Sequence, residues 1–238
     1  EQQANAIYNA VKNGLERRGD SMSLPHLRQE LEAISSRVPN AKTVLSKIQP
    51  LLDRNPFDSG GRATWEEFKK DDGTVFIVQL SGLAKDVQMT LTEIILWDAW
   101  YHRLRVGDKN KPFPVVLDEA QNLDHSEQSP TAKILTEGRK FGWSGWFAAQ
   151  FLKGQMRSDE IERLQQASQK VIFNPPETEV ADMAGVIEPD HTKVKQWHAR
   201  LARLQKGQCV VSGFGERGGA FHRQPPRIVK VTSIEDRV

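Results

Sequence analysis

Cysteine is almost missing: Cys209 stands alone among 238 residues. A lone cysteine excludes an intrachain disulfide. Its place in the apolar run Cys209-Val210-Val211 suits a buried strand residue better than a nucleophile. No apolar run approaches the roughly 18 residues that a membrane-crossing helix needs. The six histidines show no paired metal-ligand spacing, and His191 and His198 read as surface residues. An excess of one charge is lacking as well, since 33 Lys and Arg face 31 Asp and Glu for a formal +2. That balance excludes a general attraction to nucleic acid, so any such contact must come from a local patch. No signal peptide is recognisable, and the default location is cytoplasmic. The first residue is Glu1 rather than Met, and the chain is expected to be a piece of a longer protein.

A second absence concerns chemistry. Gly-x-x-x-x-Gly-Lys-Ser/Thr, the loop whose amides and Lys wrap phosphates, occurs nowhere. Gly60-Gly61-Arg62 and the stretch Gly213–Gly219 lack the Lys-Ser/Thr pair and read as turns.

Enough is present for a core, because hydrophobic residues make up 38% of the chain and aromatics 8%. The length suits one α/β domain with a helical appendage, or two small domains. Residues 1–54 read as helices. Ser23 before Leu24-Pro25 marks a start, with Leu27, Leu31 and Ile34 on one face. Val44, Leu45, Ile48, Leu51 and Leu52 form a second helical stripe. Asn55-Pro56-Phe57-Asp58-Ser59-Gly60-Gly61 then reads as a loop.

From residue 74 the rhythm alternates between strand and helix. The pattern predicts a strand over 74–80, a helix over 86–105, a strand over 113–117 and a helix opened by Ser129-Pro130. The Ser there is the cap and the Pro the first helical residue. A strand over 144–150, a helix over 158–168, a short strand over 170–173 and helices near 176–184 and 190–205 follow. Strands over 208–212 and 227–231 close the chain, antiparallel across a Gly-rich turn. Such alternation implies a mainly parallel sheet flanked by helices. The basic stretch around Arg200, Arg203 and Lys206 fits the solvated face of an amphipathic helix better than a DNA patch. Trp143 and Trp146 straddle a strand start and read as core or interface residues.

The most informative segment is Phe113-Pro114-Val115-Val116-Leu117-Asp118-Glu119-Ala120-Gln121. An apolar strand that ends in two acids puts carboxylates at the carboxyl edge of a parallel sheet, where open α/β folds bind ligands. The bland alternative is a core strand followed by a solvated acidic turn. Glu137-Gly138-Arg139-Lys140-Phe141-Gly142 then joins a helix end to a strand. Gly138 and Gly142 suit tight turns, and Arg139 and Lys140 suit a helix C-terminus. Gln150, at the exit of the next strand, would lie beside Asp118 if the two strands are neighbours.

In this order, the Leu-Ser-Gly-Leu turn, Asp-Glu-Ala-Gln, Glu-Gly-Arg-Lys-Phe-Gly and a strand ending in Gln resemble the HerA/FtsK group of DNA-pumping P-loop ATPases. The likeness is closest to the HerA branch and covers about three quarters of the chain, from Asn55-Pro56-Phe57-Asp58 onward. It implies a RecA-like fold for 55–238 and a helical segment or insertion over 1–54. It implies ATP and Mg²⁺ as ligands, with Asp118 holding the cation, Glu119 polarising water and Gln150 sensing the γ-phosphate. Arg139 would reach the neighbouring subunit's nucleotide. The implied partners are DNA, further copies of the chain in a ring, a hexamer in that group, and a nuclease or other restriction component in phage defence. Ala148-Ala149 stands where the group has Thr or Ser, and Phe151-Leu152-Lys153 where it has an early Pro. The first departure weakens the sensor assignment, and both allow a divergent or even inactive site.

Overall fold

The structure is a computed structural model that describes residues 2–57, 64–68, 73–188 and 190–233. Gly60-Gly61-Arg62, and the Asn55–Gly61 loop beyond Phe57, lie outside the described residues. The chain is a mixed α/β protein of two compact units, Glu1–Thr92 and Glu93–Val238. Among the described residues no helix is long and apolar enough to cross a membrane.

The first unit is helical, as its 3.6-residue periodicity predicts. Helices α1 (Gln2–Arg18), α2 (Leu24–Ile34) and α3 (Pro39–Arg54) pack around Ala6, Ala10, Leu31, Ala41 and Val44. Leu27, Ile34, Leu45 and Ile48 border that core, so both predicted stripes face inward. Ser23 does begin α2, but its hydroxyl pairs with His26 Nδ1 at 2.9 Å instead of capping the helix. Helix α4 (Lys85–Val106) starts in this unit, where Val87 and Leu91 pack with Leu51.

The predicted strand over 74–80 does not form among the described residues. Its run of β-branched and aromatic residues gives it the capacity to pair, but a strand exists only against a partner. Val75 and Ile77 remain 79% and 84% exposed.

The second unit holds two sheets. Strand β1 (Phe113–Leu117) pairs in parallel with β2 (Trp143–Phe147), and α5 (Pro130–Glu137) crosses between them. Ser129 caps α5 by accepting the Ala132 N–H at 3.2 Å. At the amino end of the pair, Trp143 stacks on Trp100 of α4 at 6.3 Å and meets the Phe113 ring edge-on at 5.3 Å. Trp143 is buried, while Trp146, on the opposite side of the strand turn, is exposed.

The remainder departs from a mainly parallel sheet, although the last two strands pair antiparallel across a Gly turn as expected. Strand β3 (Lys170–Ile172) pairs antiparallel with β4 (Gln208–Arg217), and β4 with β5 (Ala220–Lys230). Helices α6 (Ser158–Leu164), α7 (Val180–Ile187) and α8 (His191–Leu201) complete the unit. Val180, Ile187, Trp197, Leu201 and Val210 join α7, α8 and β4 in one core. The Gly213–Gly219 stretch is mostly strand. Only Gly218-Gly219 turn the chain, both at positive φ, as a two-residue hairpin with twist-matched geometry requires. Cys209 is buried there, and burial pushes its thiol pKa up.

Candidate functional site at the carboxyl edge of the parallel pair

Parallel pairing brings the two predicted site segments together. Beyond the strand ends, Ala148 N–H donates to Leu117 O at 2.9 Å and Ala120 N–H to Ala148 O at 2.8 Å. This extra ladder keeps the Asp118-Glu119 turn against the exit of β2.

Glu119 stands at the centre. Its backbone is left-handed (φ 54°, ψ 38°), one of two such non-glycine residues among those described. For a residue with a long side chain that conformation is strained by about 1–2 kcal/mol, and such strain clusters at functional sites. The turn aims the carboxylate between two amides. Gln121 Nε2 donates to Oε2 at 2.5 Å, and Gln150 Nε2 donates to Oε1. Gln150 therefore does reach the acidic pair across the strands, with Glu119 rather than Asp118 as its partner. Asp118 is exposed, and its Oδ1 accepts the Glu119 N–H at 2.9 Å.

A buried layer fixes this turn from below. His125, fully buried, has Nε2 at 2.7 Å from Ala120 O and so takes the tautomer with a proton on Nε2. Arg163 of α6 donates to His125 O. Glu179, 4% exposed, accepts Leu152 N–H and Lys153 N–H, each at 2.8 Å, and so anchors the loop that carries Gln150. Glu93 of α4 accepts a backbone hydrogen bond from Asp124. Burial, reinforced by the Asp124 charge, raises its pKa.

Gln121, His125, Glu93 and Glu179 were not among the sequence candidates. Gln121 was visible inside Asp-Glu-Ala-Gln, but its role depends on the left-handed turn at Glu119. The others lie far apart in sequence and carry no local pattern.

Arg139 is not part of this cluster. It lies on the 3₁₀ turn Gly138–Phe141 before β2, at the amino edge of the parallel pair. A five-residue strand separates that edge from Gln150, a length of about 13 Å. Gly142 follows the turn with φ 79°. Arg103, 5% exposed, locks the same corner by donating to Phe141 O at 2.7 and 3.0 Å and to Lys111 O at 3.3 Å. Burial lowers the Arg103 pKa, though a guanidinium stays charged.

For a hydrated Mg²⁺ the residues present fit in part. One exposed carboxylate beside a bound polyphosphate is a common Mg²⁺ arrangement, and Asp118 offers it. No cluster of three or more His, Cys, Asp or Glu suited to a metal occurs among the described residues. Chemically, the edge offers one solvent-facing carboxylate, one carboxylate held between amides and an exposed amide. No protein-family model matches the chain, and no curated protein matches it either.

Proposed function

We propose that residues 55–238 are the carboxyl-terminal part of a RecA-like motor domain of the HerA/FtsK type, an ATP-driven DNA translocase or helicase. The observation that supports this most is the acid–amide arrangement at one sheet edge: Glu119 between Gln121 and Gln150, with Asp118 exposed beside it. When bound, Mg·ATP supplies the γ-phosphoryl group that water attacks. Asp118 would hold the cation, chiefly through water. Glu119 orients the attacking water and accepts its proton, and the Gln150 amide donates toward developing negative charge. Phosphate binding requires a glycine-rich loop that these 238 residues do not contain. A working motor would draw that loop from sequence outside them. Ring assembly around DNA, a hexamer, and a nuclease partner in restriction belong to the same proposal.

The test is Glu119→Gln in a protein that includes the phosphate loop. The expected result is nearly unchanged nucleotide binding with turnover reduced on the order of 10²–10⁴-fold. Turnover within a few-fold of wild type would refute the assignment. A second reading, a non-catalytic module that keeps the fold to join a DNA-processing complex, is favoured by the engagement of both Glu119 oxygens with amides. It predicts no ATP turnover even when a phosphate loop is present.

A further inference from the structure

The near-neutral charge of the chain conceals a strong asymmetry. Residues 191–233 hold nine Lys and Arg and a single acid, Glu216, a formal +8 against +2 for the whole chain. This segment is α8, a turn and the β4–β5 ribbon. Lys193, Lys195, Arg200, Arg203, Lys206, Arg223, Arg227 and Lys230 are all exposed. Arg200 stacks over the Trp197 ring at 4.7 Å. The bond from Val231 N–H to Gly207 O, at 2.7 Å, sets Lys206 beside the base of the ribbon.

The ribbon projects past β3, which pairs only with Val210–Ser212 of β4. Beyond that point, among the described residues, the only strand partner of β4 is β5, and Gln169 Nε2 also donates to Phe214 O. Register places Phe214 opposite Arg223 and Glu216 opposite Phe221. Because side chains alternate along a strand, these four share one face. Both rings are exposed, Phe214 by 49% and Phe221 by 73%. As diagonal neighbours they stand about 7–8 Å apart, with Arg223 beside them. Two exposed rings flanking a guanidinium on a cationic arm form a platform for stacked bases and phosphates. Recruitment of another strand is a poor explanation, because the outer strand carries Pro225-Pro226. These two residues oppose Ser212 at the register shift and offer no N–H for pairing.

We propose that the β4–β5 ribbon, with the cations of α8 at its base, binds single-stranded nucleic acid by stacking bases on Phe214 and Phe221 and pairing phosphates with Arg223 and its neighbours. This adds a contact surface to the DNA-handling role proposed above, but it needs no nucleotide. A failed ATPase assignment would leave it standing.

The test is fluorescence anisotropy of the 238-residue chain with a labelled 20-mer of thymidine, without nucleotide, over a range of salt. Wild type should bind at low salt and prefer the single strand to a duplex of equal length. The double variant Phe214→Ala/Phe221→Ala should lose about tenfold or more in affinity with an unchanged melting temperature. Arg223→Gln should lower the slope of log K against log salt by about 0.7. Wild-type affinity in the double variant, duplex preference, equal binding to polyglutamate, or no binding at low salt would each overturn the proposal.

Discussion

Replacing Gly142 by alanine isolates the packing of the corner that carries Arg139. The residue has φ 79°, a region where a Cβ costs about 1–2 kcal/mol. The added Cβ would also lie 2.3 Å from Asp108 O, 2.6 Å from the Arg103 guanidinium and 2.8 Å from Lys111 O. Two of those neighbours are backbone atoms, and the third is buried and bonded to Phe141 O. None can yield without breaking the contacts that close the corner. Overpacking of this kind adds about 1–3 kcal/mol, so Gly142→Ala should destabilise the second unit by about 2–5 kcal/mol. At about 2–4 °C per kcal/mol for domains of this size, the melting temperature should fall by about 4–20 °C. Gly154 supplies the control. Its φ is 78°, but a Cβ there meets nothing within 4 Å. Gly154→Ala should therefore show the backbone strain alone, about 1–2 kcal/mol. Urea denaturation followed by near-ultraviolet circular dichroism, which senses Trp100 and Trp143 beside the corner, measures both variants. Equal losses would show that the corner relaxes freely and that the close approach of residues 108–111 does not hold it.

Glu93 gives a pH-dependent test. Its pKa is raised by burial, so the folded state holds the proton more tightly than the unfolded chain does. Glu93 thus disfavours folding increasingly as pH rises above its ordinary value of 4.5. Glu93→Gln should raise the melting temperature at pH 7 and lose that advantage at pH 4; a gain of equal size at both would show that the charge is not responsible. Ser129→Ala removes the cap on α5 and should destabilise the unit by about 0.5–2 kcal/mol in denaturant titration, whereas Ser126→Ala, one turn earlier, should cost less.

Legibility of the chain followed the range of the interactions. Periodicity located the helices and a continuous apolar run located β1, because both are local properties of the sequence. Asp118, Glu119 and Gln150 were legible because successive strands joined by a helix tend to be parallel neighbours, which puts their exits side by side. The amide partner of Glu119 in the same turn was not. Only the left-handed backbone at Glu119 brings Gln121 round to Oε2. Buried polar residues such as Glu179, His125 and Arg103 act through backbone groups 5 to 38 positions away, and nothing in their sequence neighbourhood announces it. The late antiparallel hairpin was legible, but not its length: the strands run on to Arg217 and Ala220, so Gly213 and Gly215 lie within the ribbon rather than in a turn, and Gly215 makes room for Gln224.

Arg139 tests the assembly that the proposed motor requires. Parallel strands send all their carboxyl ends one way, so the segment before β2 and the segment after it lie at opposite edges. Arg139 sits before β2 and Gln150 after it, separated by about 13 Å of strand. A guanidinium side chain cannot span that length and also bond a phosphate beside Glu119 of its own chain. If Arg139 acts on nucleotide at all, it acts on a neighbour's. In the protein with its phosphate loop, Arg139→Ala should keep nucleotide affinity within a few-fold and lower turnover on the order of 10³-fold, as arginine fingers do elsewhere. Subunits carrying Arg139→Ala should then restore activity to subunits carrying Glu119→Gln, because mixed rings contain interfaces with one intact Glu119 and one intact Arg139. A purely structural Arg139 predicts some loss of stability and no such recovery. With mixed assembly shown independently by crosslinking, inactivity of the mixtures would exclude the role in trans.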